Sequence, residues 1–306
     1  MMVGVVAVSG WRLDGEGYRI LKNRAAMTAV MTALAMCAFA ANSILCRLAL
    51  SQTSIDPATF TLVRIGSGAV VLVFLNFARG SLAIGGSWLA ALALLAYAVG
   101  FSFAYVSLTA ATGALLLFGA VQATMIIHGF VRGERLSGLQ LGGLGAALGG
   151  LLALLVPGLA APEPVNASMM IVAGVAWGAY SLLGRGNTDP LATTAGNFLR
   201  AAPLALALWA ATSSSWDLRG LVWAMLSGAV ASGCGYAIWY AALPGLTAAR
   251  AASVQLSVPV ITALIGIGLL GEPFSARLLV VSAVVLGGIA LVVWGNAKPR
   301  VLPDKV

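Results

Sequence analysis

Charge is what this sequence lacks most. Only 8% of its residues are Asp, Glu, Lys or Arg, against about 25% in a soluble domain. Acid is scarcer than base, with 9 Asp and Glu against 17 Lys and Arg in 306 residues. No long polar stretch exists from which an aqueous domain could fold, so any chemistry must take place inside an apolar body. A single histidine, His128, and three cysteines leave almost no metal-site chemistry. Cys37, Cys46 and Cys234 all fall in apolar runs and read as small packing residues, not as a disulfide frame. No phosphate loop, nucleophilic triad or zinc spacing occurs, and no cofactor is expected.

What is there is apolar surface, 60% of the residues. It comes in runs of about 20 residues, the length of a helix that crosses about 30 Å of hydrocarbon. A membrane β-barrel would show alternating segments of about ten residues instead. Ten spans can be placed, near 25–47, 57–78, 87–106, 108–128, 138–157, 167–185, 190–211, 220–242, 246–270 and 276–296. The fold class is therefore all-α integral membrane. Asp56-Pro57 and Asp189-Pro190 each set an Asp N-cap before a Pro in the first helical turn. The order of charge and apolar residues at the N-terminus is wrong for a signal peptide.

Three short blocks recur in order at one offset of 138. Ala41 to Arg47 pairs with Ala179 to Arg185, Leu108-Thr109-Ala110 with Leu246-Thr247-Ala248, and Gly133-Glu134 with Gly271-Glu272. A constant offset marks a tandem duplication. The organisation expected is a tail at 1–24, a five-helix repeat at 25–157, a second at 158–297 and a tail at 298–306. With the N-terminus inside, twelve Lys and Arg fall on the cytoplasmic side and three outside (Arg47, Arg219 and Arg277). The positive-inside rule then puts both termini in the cytoplasm, of a bacterial-type inner membrane. Five is odd, so the second copy is inverted relative to the first, as in many carriers. The net charge of +8 sits at helix ends and gives no reason to expect nucleic acid.

Several residues could line a path between the repeats. Tyr97, Phe101 and Tyr105 share a helix face at i, i+4, i+8, and Tyr236, Trp239 and Tyr240 share another at i, i+3, i+4. Two such faces could grip a flat or apolar solute, or a cation by cation–π contact; plain packing or an interfacial aromatic belt is the alternative. Trp177, Tyr180 and Ser181 form a third face. The amides Asn42, Gln122, Asn197 and Gln255 sit within spans and need partners that hydrocarbon does not offer, with Phe118 on the Gln122 face. Arg64 and Arg200 lie within matched helices with no acid in those spans. They read as structural charges, with binding of a substrate carboxylate as the other option. Glu134 and Glu272 end matched helices on opposite faces, as gating charges or as ordinary solvated ends. Gly142, Gly145, Gly149, Gly150, Gly287 and Gly288 suit close helix packing or a homodimer surface.

Ten helices in a five-helix duplication resemble the drug/metabolite transporter superfamily, of the EamA type. The residues that carry this are Ala38 to Ser43 and Ala176 to Ser181, the paired Arg64 and Arg200, and the two Gly-Glu ends. The second copy has the Trp177-Gly178 typical of that family, where the first has Phe39-Ala40. Within the superfamily the chain looks most like bacterial YddG-like amino-acid exporters. The resemblance implies a carrier of small metabolites working by alternating access, and not an enzyme. A multidrug carrier of aromatic cations is the first rival, weakened by the absence of an intramembrane acid. A lipid enzyme or a non-transport membrane subunit fits less well. The partners expected are a small-molecule substrate, the bilayer and, as an option, a second copy.

Overall fold

A computed structural model describes residues 15–133, 137–156, 162–212, 215–246, 248–273 and 275–295. Glu134, most of the N-terminal tail and the tail at 298–306 lie outside them. The described residues hold twelve α-helices and no strand. They are α1 (Gly15–Gln52), α2 (Pro57–Ala78), α3 (Trp88–Ala104), α4 (Ala110–Val131), α5 (Gly138–Leu155), α6 (Pro164–Leu183) and α7 (Pro190–Thr212). After these come α8 (Leu218–Leu226), α9 (Gly235–Ala242), α10 (Ala248–Gln255), α11 (Ser257–Leu270) and α12 (Ala276–Gly295).

Two pairs act as single rods, which gives ten. A π-helical turn, Ser227–Cys234, joins α8 to α9. Only Leu256 separates α10 from α11. Pro259 explains that break: it has no N–H to give the carbonyl four residues back, on Gln255. Six rods are long and apolar enough to cross a membrane. The α3, α5 and α11 helices are apolar but shorter. The 23-residue α7 carries Asn197, Arg200 and Pro203, which dilute its apolar character. The chain is a multi-pass membrane protein. Its first helix is longer than the span read at 25–47, because no proline or helix-ending signal stops it at either border.

The ends are fixed by caps. Asp56 accepts from the amides of Ala58 and Thr59, and Asp189 from that of Ala192. Ser137 and Gln140 complete a capping box on α5. At the end of α11 the chain must turn left-handed, and Gly271 has the φ of 63° that favours glycine.

Helices α2 and α7 run side by side, as do α5 and α12. Helix α6 packs on α3 and α4, and α1 packs on the α8–α9 rod and on α11. At the α5–α12 seam the close approaches are Gly143 on Gly288 and Gly150 on Val285. A Cβ on Gly142, Gly145, Gly149 or Gly287 would meet open space, so these four make no close helix contact.

Candidate functional site: a cavity between the two halves

Both ends of the α2–α7 pair are tied to the neighbouring loops. At one end, Asp56 Oδ2 accepts from Ser215 N–H at 3.1 Å. At the other, Arg79 donates to both oxygens of Asp189 at 2.5 Å. That hydrogen bond holds the Asp189 carboxyl below its ordinary range. A carboxyl so lowered contributes stability above its unfolded value and loses it as pH falls through the folded one. These ends mark two faces of the molecule, here the Arg47 face and the Arg79 face.

A cavity of about 420 Å³ opens on the Arg79 face and ends blind inside. Its mouth is lined by Gly184 to Asn187 and Pro190, and its walls come from helices of both halves. Asn42, Tyr97, Phe101, Phe118, Gln122, Trp177, Tyr180, Tyr236, Trp239, Tyr240 and Gln255 all line it. Tyr105 does not. It is fully buried behind Phe101, its ring under Gly113 and its hydroxyl donating to Ala110 O at 3.2 Å. The i+8 position of that stripe has passed beyond the cavity and into the turn before α4.

Trp177 joins the other two aromatic faces. Its ring lies 4.7 Å from Tyr97 and stacks on Tyr236 at 5.3 Å and Tyr180 at 5.2 Å. Phe39 extends the chain from Tyr236 to Trp239. The asparagines are tied in. Asn42 donates to the Tyr97 hydroxyl at 3.2 Å and accepts from Ser227 Oγ at 2.6 Å. Asn197 accepts from Ser87 N–H at 3.0 Å and donates to the Tyr180 hydroxyl at 3.4 Å. Sequence reasoning passed over Phe39, Ser43, Thr193 and Ser232, which also line the cavity. Ser232 lies in the small-residue run Ser227 to Cys234. Such a run inside an aromatic-rich span was the available signal.

The Arg47 face is closed by a clasp between the halves. The Glu272 carboxylate accepts twice from Ala110 N–H at the start of α4, at 2.8 and 2.9 Å, and lies 3.5 Å from Arg47. Arg47 also donates to the carbonyls of Tyr105 and Val106 at 3.0 Å. A carboxylate at a helix N-terminus meets free N–H groups and the positive end of the dipole together.

The paired arginines differ. Arg200 Nη1 donates to Gly85 O at 2.6 Å and Gly196 O at 2.9 Å, and so ties α7 to the α2–α3 loop. Charged hydrogen bonds contribute about 1.5–3 kcal/mol each. In a protein of this size 1 kcal/mol moves the melting temperature by about 2–4 °C. Counting only the Gly85 bond, since Gly196 is on the same helix, Arg200→Ala should lower it by roughly 3–12 °C. Thermal unfolding in detergent by intrinsic fluorescence checks this, and an unchanged midpoint refutes the structural role. Arg64 has no such carbonyls.

Residues 166–294 match the EamA-like transporter family. A protein of Pseudomonas aeruginosa with no assigned function is 56% identical over 269 residues, covering 87% of this chain and 94% of its own. The chain belongs to the EamA-like transporter family. A solved crystal structure at 20% identity superposes with a TM-score of 0.60, over 86% of this chain and 97% of the other. That likeness shows the fold. Family membership makes the protein a membrane transporter of small molecules and gives no indication of an enzyme.

Proposed function

We propose that this EamA-family protein exports small metabolites, amino acids foremost, from the cytoplasm by alternating access of two inverted repeats. The observation that carries the reading is the central cavity, open on the Arg79 face and closed at the Arg47 face by the clasp. A pocket of this volume suits a small organic solute. The inverted duplication is supported by the packing. Exchange the first five rods for the last five, and α3 on α6 becomes the α8–α9 rod on α1; α4 on α6 becomes α11 on α1. Both contacts exist.

Charge supports the orientation. With the Arg79 face cytoplasmic, the cavity is open inward, where an exporter loads. Leu82, 79% exposed, and Trp216, 71% exposed, are on opposite faces. In a cysteine-free background, an impermeant maleimide added to intact cells should label Trp216→Cys and spare Leu82→Cys. The reverse pattern overturns the orientation.

Transport itself is tested in proteoliposomes with a panel of labelled amino acids, with and without a proton gradient. His128 lies near the Arg79 end of α4 and does not line the cavity. With no carboxylate among the described lining residues either, we expect a facilitator that follows the substrate gradient. Steep acceleration by a proton gradient would overturn that. Amino-acid counterflow no greater than in empty liposomes would overturn the choice of substrate. The cation-carrier reading is supported less, because no described lining residue carries negative charge.

A further inference from the structure

Among the described residues Arg64 is the arginine buried almost completely with nitrogens left unpartnered. Arg64 sits in the middle of α2, 1% exposed. Its Nη2 donates to the Tyr97 hydroxyl at 2.7 Å, while Nε and Nη1 have no partner. Its guanidinium carbon lies 5.0 Å from the ring centre of Tyr97 and 4.7 Å from that of Phe101. Among the described residues the ion pairs are Arg47–Glu272 and Arg79–Asp189, both at helix ends. A cation buried in hydrocarbon with two idle guanidinium nitrogens and no acid is costly, and residues of this kind face functional cavities as a rule.

Tyr97 and Phe101, whose rings cover the guanidinium, themselves line the blind part of the cavity. The Tyr97 hydroxyl accepts from Arg64 and from Asn42, which occupies both its lone pairs and leaves its own proton to donate. A second, separate observation points the same way. Ser232, on the π-helical turn, lines the cavity, is 1% exposed, and its Oγ has no partner. Wide π turns are frequent at functional sites. The blind end thus offers two hydroxyl donors and a positive field, with no negative group among the described lining residues.

We propose that this end is an anion subsite, with Arg64 as the counter-charge of a carboxylate on the transported solute. The carboxylate accepts from the Tyr97 and Ser232 hydroxyls, and the guanidinium acts through Tyr97 and, in the low dielectric, through its field. A single buried cation matches a monoanion better than a doubly charged phosphate ester. The aromatic walls, with Trp177 at their centre, take the flat or apolar remainder. The α-amino group of an amino acid finds no acid here and is dispensable. The solute class is therefore a small carboxylate with an apolar body, whether or not it carries an amine. This rests on the carrier reading and narrows it.

Three probes differ only in their polar groups: L-phenylalanine, 3-phenylpropionate and phenethylamine. Each is assayed for inhibition of counterflow and for thermal stabilisation of the purified protein. The wild type should bind the two carboxylates within about fivefold of each other and phenethylamine at least 50-fold more weakly. Arg64→Gln should lose about 100-fold in affinity for both carboxylates without loss for the amine, and Arg64→Lys should recover part of it. Should Arg64→Gln fail to fold, Tyr97→Phe and Ser232→Ala each remove one donor. Each should weaken the carboxylates about tenfold and leave the amine unchanged. Carboxylate affinity unchanged in the foldable variants overturns the proposal. Inhibition and stabilisation by phenethylamine alone, or by none of the three, overturns it too but leaves the carrier reading standing, because that reading is tested by the proteoliposome panel.

Discussion

Transport should fall to background when Ser181 is replaced by tryptophan, with the folded protein recovered in normal amount. Ser181 lies on the cavity wall one turn of α6 from Trp177, and its hydroxyl is spent on its own helix, donating to Trp177 O at 2.8 Å. Its removal should therefore cost little stability. An indole projecting from this position would occupy the space between the mouth and the blind end. The site is only partly buried, so the added ring enters open volume and not packed core, where insertion costs about 1–3 kcal/mol. Val172→Trp on the same helix is the control, because Val172 is 60% exposed on the outer surface. The measurement is initial counterflow rate at matched protein density. Activity within twofold of wild type in Ser181→Trp would mean that solutes do not pass through this cavity.

The largest effect on folding is expected at Gly228. The π-helical turn presses on α2 there, and a Cβ would overlap the Arg64 carbonyl oxygen and Ser67 Oγ. The serine can rotate away, but the carbonyl is backbone and cannot. Gly228→Val should cut the yield of monodisperse protein in detergent about tenfold or more, since forcing the rod off α2 disturbs a long apolar seam. Gly142→Val, where a Cβ meets open space, should be neutral. Equal yields from the two variants, by size-exclusion profile, would show that the close approach is not required.

Much of this architecture was legible in the sequence, for physical reasons. Hydrocarbon demands long apolar runs and internally bonded backbone, so the rods could be counted. Asp-Pro pairs fix helix starts locally, and α2 and α7 begin at Pro57 and Pro190. The aromatic faces could be read from helical periodicity, yet periodicity does not say how deep a face reaches, and Tyr105 lies beyond the cavity. Nor could it tell Gly142 from Gly143, because a shift of one residue turns a helix by about 100°. Arg64 and Arg200 are alike in sequence. Their difference depends on whether a loop brings carbonyls within reach, as Gly85 does for Arg200, and a pairing over 115 positions leaves no local trace.

The π-helical turn has a bearing on kinetics. Among the described residues it occurs in the α8–α9 rod and not in α3, its counterpart under the proposed duplication. The wider winding shifts the angular register of α9, which carries Tyr236, Trp239 and Tyr240. Under that proposal the two halves cannot become copies of each other by exchanging roles. In a carrier of the proposed kind, a solute arriving from outside meets a differently shaped chamber from one arriving from inside. The half-saturation concentrations on the two sides will differ. For a passive facilitator the ratio of maximal rates must compensate, so that the gradient alone still sets the direction of net flow. Such a protein takes up its cargo more readily from one compartment than from the other without any source of energy.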